Sequence, residues 1–248
     1  VGATLTWPED QPRDYPASLV AWDPVTQKKA WEIPQETFWS AGTLTTAGNL
    51  VFQGRADGHL VAYDARTGDE RWSFDAGLGI SAPPITYEID GTQYISLLVG
   101  FGGGYSSLGG QDVANLGWSY RAQTRRLITF SLDGDANMPP QPPPRVPEPI
   151  PADFQVDAVL AEAGRVLFER DEIEGVCWGC HGMGAVSGGA APDLRASAAV
   201  LDAEAFQRIV RDGALTPAGM PRFADLTDQQ LESLRHYVRQ QAAMALER

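Results

Sequence analysis

Residues 138–151 read MPPQPPPRVPEPIP and hold eight of the chain's eighteen prolines. Proline lacks a backbone N–H and fixes φ, so a run this dense joins neither a helix interior nor a sheet ladder. It forms an extended, semi-rigid spacer. The chain is 248 residues long, enough for two modest cores. Composition changes across the spacer. Six of the seven tryptophans precede it, and Ala-rich helical patterns follow it. The expected organisation is therefore a β segment over 1–134, a linker over 135–151 and a helical domain over 152–248.

Net charge is −13, about −7 before residue 152 and −6 after it. A chain this evenly acidic is a poor partner for nucleic acid. No run approaches the length of an apolar membrane span. The chain opens Val-Gly-Ala with neither Met nor a signal peptide. Either a leader has been processed or a longer protein precedes it.

After the spacer, residues 155–170 place Val156, Val159, Leu160, Val166 and Leu167 at helical spacing. Residues 202–212 predict a second helix, with Asp202 as N-cap and Gly213 as its stop. Residues 227–246 predict a third, capped by Thr227, with Leu231, Leu234, Tyr237 and Val238 as its buried stripe. His236, beside that stripe, reads as a surface side chain.

Both cysteines of the chain fall in CWGCH, Cys177 to His181. A structural zinc site needs four ligands in paired spacing, and His59 and His236 do not supply the second pair. A redox dithiol wants a βαβ setting that this helical segment lacks. Cys-x-x-Cys-His is the attachment pattern of haem c: two thiols bond covalently to one porphyrin and the adjacent imidazole lies under the iron. For the second axial position, Met138 lies in the linker, Met183 is too close to His181, and Met244 lies near a helix end. Met220, in the Pro-framed TPAGMPRF about forty residues on, has the reach to approach the other haem face.

These residues resemble the class I cytochrome c family, with CWGCH as its haem motif, APDLR (191–195) as its Pro loop and GMPRF as its Met loop. The resemblance implies iron ligation by His181 and Met220, covalent attachment through Cys177 and Cys180, and a pocket that includes Pro192, Arg195 and Pro221. It also implies that the Pro192 carbonyl orients the imidazole, and that Gly164 and Phe168 pack on the last helix near Tyr237. Such a domain carries single electrons.

Before the spacer, AWDPVTQKKAW (21–31) repeats as AYDARTGDERW (62–72), forty-one residues on. Asp23 and Asp64 are suited to cap tight turns, Gly68 to supply a positive φ, and each final Trp to cover the neighbouring sheet. Strand-like runs lie at 50–54, 59–65, 84–89, 93–100 and 126–134. A four-strand repeat of this length is a propeller blade; a β-sandwich is the alternative.

The repeat resembles the tryptophan-docking motif of eight-bladed quinoprotein dehydrogenases. The order of propeller, Pro-rich linker and cytochrome resembles the quinohaemoprotein alcohol dehydrogenases. By that resemblance the fold is a partial eight-bladed β-propeller, about three C-terminal blades, followed by an all-α class I cytochrome c domain. The cofactors are haem c, PQQ (pyrroloquinoline quinone) and Ca2+. An alcohol or aldehyde would be oxidised at the quinone and the electrons passed through the haem to an external cytochrome, cupredoxin or quinone, in the bacterial periplasm. Trp39, Ser40, Phe101 and Gly102 match positions at the PQQ site, with Ser40 where the family commonly has Asn and Phe101 where it has Trp. Trp39 and Phe101 read equally as blade core, and residues 105–124 as a long insertion at the site mouth. The family's catalytic Asp, calcium ligands and vicinal cysteine pair belong to earlier blades, so no catalytic residue is expected in this chain and an N-terminal propeller portion is expected as its partner. The alternative is a stand-alone electron-transfer cytochrome with a β interaction module.

Overall fold

In a computed structural model, each Asp-x-x-Thr repeat closes a β-turn between two antiparallel strands. The structure describes residues 17–35, 40–100, 110–121, 124–139, 147–169, 177–187, 189 and 191–247. Strands β1 (Ala17–Asp23) and β2 (Lys28–Gln35) form a hairpin. Strands β3 (Thr43–Thr46), β4 (Leu50–Gly54), β5 (His59–Asp64) and β6 (Glu70–Asp75) form a four-stranded antiparallel meander. Strands β7 (Ile85–Ile89), β8 (Thr92–Val99) and β9 (Arg126–Ser131) form a three-stranded sheet. Among the described residues one blade is thus complete, flanked by two of fewer strands.

The turn chemistry is shared by both repeats. Asp23 accepts from Val25 N at 2.9 Å and from the Thr26 hydroxyl at 2.7 Å. Asp64 accepts from Arg66 N at 2.9 Å. The left-handed position falls on Gly68 in one repeat (φ 78°) and on Gln27 in the other (φ 53°). A strict Gly signature would therefore have missed the first turn.

The repeated tryptophans join sheet to sheet. Trp31 donates from Nε1 to the Ala65 carbonyl at 3.0 Å, and its ring lies over Gly68, where a Cβ would stand 3.0 Å from the indole. Trp72 meets Phe130 of the next sheet edge-on, with centroids 5.4 Å apart. The apolar interior is centred on β4, β5 and β8, with Leu60, Val61 and Ile80 fully buried. The insertion between β8 and β9 contains a short helix, α1 (Gly110–Asn115). It is followed by Trp118, which is buried and donates to the Ala56 carbonyl at 3.1 Å.

The helical domain is built from α2 (Ala158–Glu169), α3 (Trp178–His181), α4 (Ala203–Val210) and α5 (Asp228–Leu246), with 3-10 turns between α3 and α5. The caps are those expected: Asp202 accepts from Glu204 N and Ala205 N, and Thr227 forms a reciprocal capping box with Gln230. Helices α2 and α5 cross where Gly164 faces Ser233, and Phe168 packs on Tyr237 with centroids 5.1 Å apart. Leu231, Leu234, Tyr237 and Val238 are all buried.

His236 departs from its surface reading. It is buried, its Nδ1 accepts from Asp157 N at 3.0 Å, and the Phe154 ring lies 4.9 Å from it. The cause is the segment preceding α2, which folds back onto α5: the Ile150 carbonyl accepts from Arg239 Nη1 at 3.0 Å. The end of the Pro-rich spacer is thereby fastened to the helical domain. No helix among the described residues is long and apolar enough to cross a membrane.

Candidate functional site

One helical turn assembles the CWGCH motif. His181 N and Cys180 N both donate to the Cys177 carbonyl, at 2.9 and 3.2 Å. Cys177, Cys180 and His181 then project from neighbouring positions of the same turn, since residues three and four apart share a face. Gly182, at φ 77°, ends the turn. Cys180 is exposed and Cys177 is half-buried against the helical core. Burial is the main cause that pushes the Cys177 thiol up to about 11, with the neighbouring Cys180 adding to it. Among the described residues no group of three or more His, Cys, Asp or Glu is placed to hold a bare metal ion.

His181 is buried and its Nδ1 lies 2.8 Å from the Pro192 carbonyl. A carbonyl only accepts, so Nδ1 carries the proton and Nε2 keeps its lone pair. Burial lowers the imidazole pKa, with the Pro192 carbonyl and the Asp193 charge acting the other way. The ring is therefore neutral near pH 7, the state in which an imidazole ligates a metal, and its second nitrogen is held as the best-placed ligands hold theirs.

The Pro loop is fixed by its own ion pair. Arg195 donates from Nε and Nη2 to the two carboxylate oxygens of Asp193, at 3.0 and 2.8 Å, and both residues are buried. The Met loop is a 3-10 turn, Thr216–Ala218, closed by Gly219 at φ 95°. Met220 N then donates to the Leu215 carbonyl at 3.2 Å. Met220 is half-buried and packs on the same apolar cluster as Cys177, Trp178, Leu194 and Phe223. Pro192 and Pro221 are exposed on their loops. The structure thus packs Cys177 and Met220 against one core, with Cys180 and the His181 imidazole on the same helical turn as Cys177. That donor set fits haem c: two thiols for covalent attachment, one nitrogen and one sulfur for the axial positions.

Of the residues expected at the quinone, Trp39, Phe101 and Gly102 lie outside the described residues. Ser40 donates to Gln35 Oε1 at 2.5 Å, and Gln35 Nε2 donates to Gln53 Oε1 at 2.7 Å. Both glutamines are buried. This polar chain was not legible beforehand, because a glutamine in a strand carries no pattern that separates an inward amide from an outward one.

Residues 14–95 match the family described as glucose/ethanol/alcohol dehydrogenase, beta-propeller domain. Residues 160–238 match cytochrome c oxidase, cbb3-type, subunit III. The quinohemoprotein alcohol dehydrogenase ADH IIB of Pseudomonas putida is 44% identical over 227 residues, covering 89% of this chain and 31% of that protein. The lupanine 17-hydroxylase [cytochrome c] of Pseudomonas sp is 39% identical, covering 90% of this chain and 31% of that protein. The solved quinohemoprotein alcohol dehydrogenase from Comamonas testosteroni superimposes with a TM-score of 0.72 at 36% identity, covering 95% of this chain and 33% of that one. For ADHIIG from Pseudomonas putida HK5 the TM-score is 0.78 at 39% identity, covering 93% of this chain and 32% of that one. Fold and comparisons together define a PQQ-type β-propeller joined to a cytochrome c domain. These domains imply PQQ and haem c as cofactors. The chain is homologous to the quinohaemoprotein alcohol dehydrogenases over the C-terminal part of those proteins. It spans about a third of the length of the relatives it matches.

Proposed function

We propose that this chain is the electron-exit portion of a quinohaemoprotein dehydrogenase that oxidises alcohols, or related hydroxyl or aldehyde substrates. The organisation is 1–134 as propeller blades, 135–151 as linker and 152–248 as the haem domain. The observation that carries the reading is the His181–Pro192 hydrogen bond at 2.8 Å within a Cys-x-x-Cys-His turn. It leaves one neutral nitrogen free beside two thiols.

Oxidation of an alcohol to the aldehyde or ketone releases two electrons and two protons, and the electrons leave singly for an external acceptor. PQQ when bound accepts the electron pair, and haem c when bound carries single electrons. The residues of this chain supply the fixed geometry. Cys177 and Cys180 would hold the porphyrin covalently, His181 Nε2 and Met220 Sδ would ligate its iron, and Pro192, Arg195 and Pro221 would border it. His181 needs no proton release at neutral pH, because burial already keeps it neutral. Met as the second ligand favours a higher potential than a second His. Ser40, with Trp39, Phe101 and Gly102, would face the quinone from this side of the propeller. The catalytic base and Ca2+ would come from blades that precede this segment, and the enzyme would work in the bacterial periplasm. That relatives include a 1-butanol dehydrogenase (cytochrome c) from Thauera butanivorans supports an alcohol as substrate.

The test is optical. Reduced holoprotein is expected to show a c-type α-band, and oxidised protein a weak sulfur-to-iron band at the red edge. Met220→Ala should abolish that band and lower the potential. An unchanged spectrum in that variant overturns the ligand assignment.

A further inference from the structure

We propose that Gln111, in the insertion between β8 and β9, is a positioning residue that latches the propeller segment to the loop 191–195 and so steadies the carbonyl that holds His181. The link to electron transfer rests on the reading of His181 as an iron ligand.

The latch is a chain of oriented groups. Gln111 Nε2 donates to Asn115 Oδ1 at 2.9 Å, one turn along α1. That bond fixes the amide, leaving Oε1 as the acceptor that faces outward. Oε1 accepts from Arg195 Nη1 at 3.2 Å. The Arg195 guanidinium is buried, and its other donors, Nε and Nη2, are taken by Asp193. A guanidinium is a rigid fork of donors, so its Nη1 edge points wherever Asp193 aims it. Asp193 supplies the neutralising charge, and Gln111 supplies a neutral acceptor on the third side.

The same short loop is held from two further directions. The Arg195 carbonyl accepts from Ile150 N at 3.0 Å, and the Ile150 carbonyl accepts from Arg239 of α5. Pro192, whose carbonyl meets His181 Nδ1, directly precedes Asp193. Helix α1 also lies beside the turn Met183–Ala185, two residues past His181. Propeller insertion, linker end and the His181 imidazole therefore converge on residues 191–195.

Removing the Gln111 amide strands one edge of a buried cation. A hydrogen bond to a charged group is strong enough that its loss shifts the docked-to-undocked ratio by about tenfold. The guanidinium edge then has no acceptor on the propeller side of the junction. Gln111→Glu keeps an acceptor opposite Arg195 and so keeps the latch.

The experiment uses the whole holoenzyme carrying this sequence, with Gln111→Ala and Gln111→Glu. Three rates are read: proteolytic cleavage between Leu132 and Pro149, haem reduction after mixing with a primary alcohol, and turnover with a dye that takes electrons directly from the quinone. Gln111→Ala is expected to be cleaved about tenfold faster and to reduce its haem more slowly, with dye turnover unchanged. Gln111→Glu is expected to stay near wild type. Wild-type cleavage and haem-reduction rates in Gln111→Ala overturn the latch. Equal impairment of both variants also overturns it, since the acceptor would then be irrelevant. If no alcohol reduces the wild-type haem but cleavage still accelerates in Gln111→Ala alone, the dehydrogenase reading falls and the latch stands.

Discussion

A methyl group placed on Gly164 would stand 2.0 Å from the main-chain carbonyl oxygen of Ser233. No side-chain rotation relieves that contact, because the obstacle is the backbone of α5. The glycine is what lets α2 and α5 meet closely enough for Phe168 to reach Tyr237. The fully buried Tyr237 in turn donates its hydroxyl to Glu169 Oε1 at 2.5 Å.

Gly164→Ala is therefore expected to destabilise the helical domain, even though alanine favours helix. Overpacking of this kind costs about 1–3 kcal/mol and outweighs the helix-propensity gain of about 1 kcal/mol. Thermal unfolding followed by far-ultraviolet dichroism checks it. A variant as stable as wild type would mean that the two helices can slide apart freely.

The turn carboxylate Asp64 is expected to make the propeller segment sensitive to acid. Asp64 is held at about 2, below its ordinary 3.8, first by the Arg66 backbone N–H and then by the Arg71 guanidinium. A depressed carboxylate contributes stability that is present above 3.8 and lost as pH falls towards about 2. Asp64→Asn keeps an acceptor for Arg66 N–H but loses the charge that faces Arg71. The variant is expected to be less stable at neutral pH and to lose less on acidification through that window. Denaturant midpoints at a series of pH values decide it; parallel curves for the two proteins would remove Asp64 as the cause.

Trp31 tests how the sheets are joined. Trp31→Phe keeps a ring over Gly68 and loses the Nε1 bond to Ala65, a change worth about 1 kcal/mol. Trp31→Ala loses the ring as well and should cost clearly more. A ranking in which both variants cost the same would assign the whole contact to the hydrogen bond.

The sequence made legible whatever is carried by local chemistry. Asp202 and Thr227 announce helix starts because a cap bonds within three residues. The four-strand blade was readable because alternation, turn aspartates and docking tryptophans recur at a fixed interval. The Cys-x-x-Cys-His turn was readable because its two thiols and imidazole lie within one helical turn. What stayed hidden depends on long-range partners. The buried state of His236 is imposed by a segment almost eighty residues earlier. The contact from Gln111 to Arg195 spans two domains. Gln27 takes a left-handed conformation with no glycine to mark it.

The last expectation concerns the chain on its own. The sheet of β7, β8 and β9 exposes Ile85, Ile89, Leu98 and Leu127, at 59%, 54%, 60% and 68%. Trp22 and Val25 are likewise exposed on and just after β1, at 59% and 89%. Apolar faces on this scale mark surfaces that another protein segment covers, and uncovered strand edges promote association. In the proposed reading the segment that would cover them is further propeller blades; the relatives are about three times as long as this chain. Residues 1–248 expressed alone are therefore expected to bind an apolar dye, to self-associate, and to leave their haem oxidised when PQQ, calcium and a panel of primary and secondary alcohols are added. Adding the preceding blades should restore substrate-dependent haem reduction. Reduction by an alcohol without them would place a complete catalytic centre within these 248 residues and overturn the division of labour proposed for the two parts.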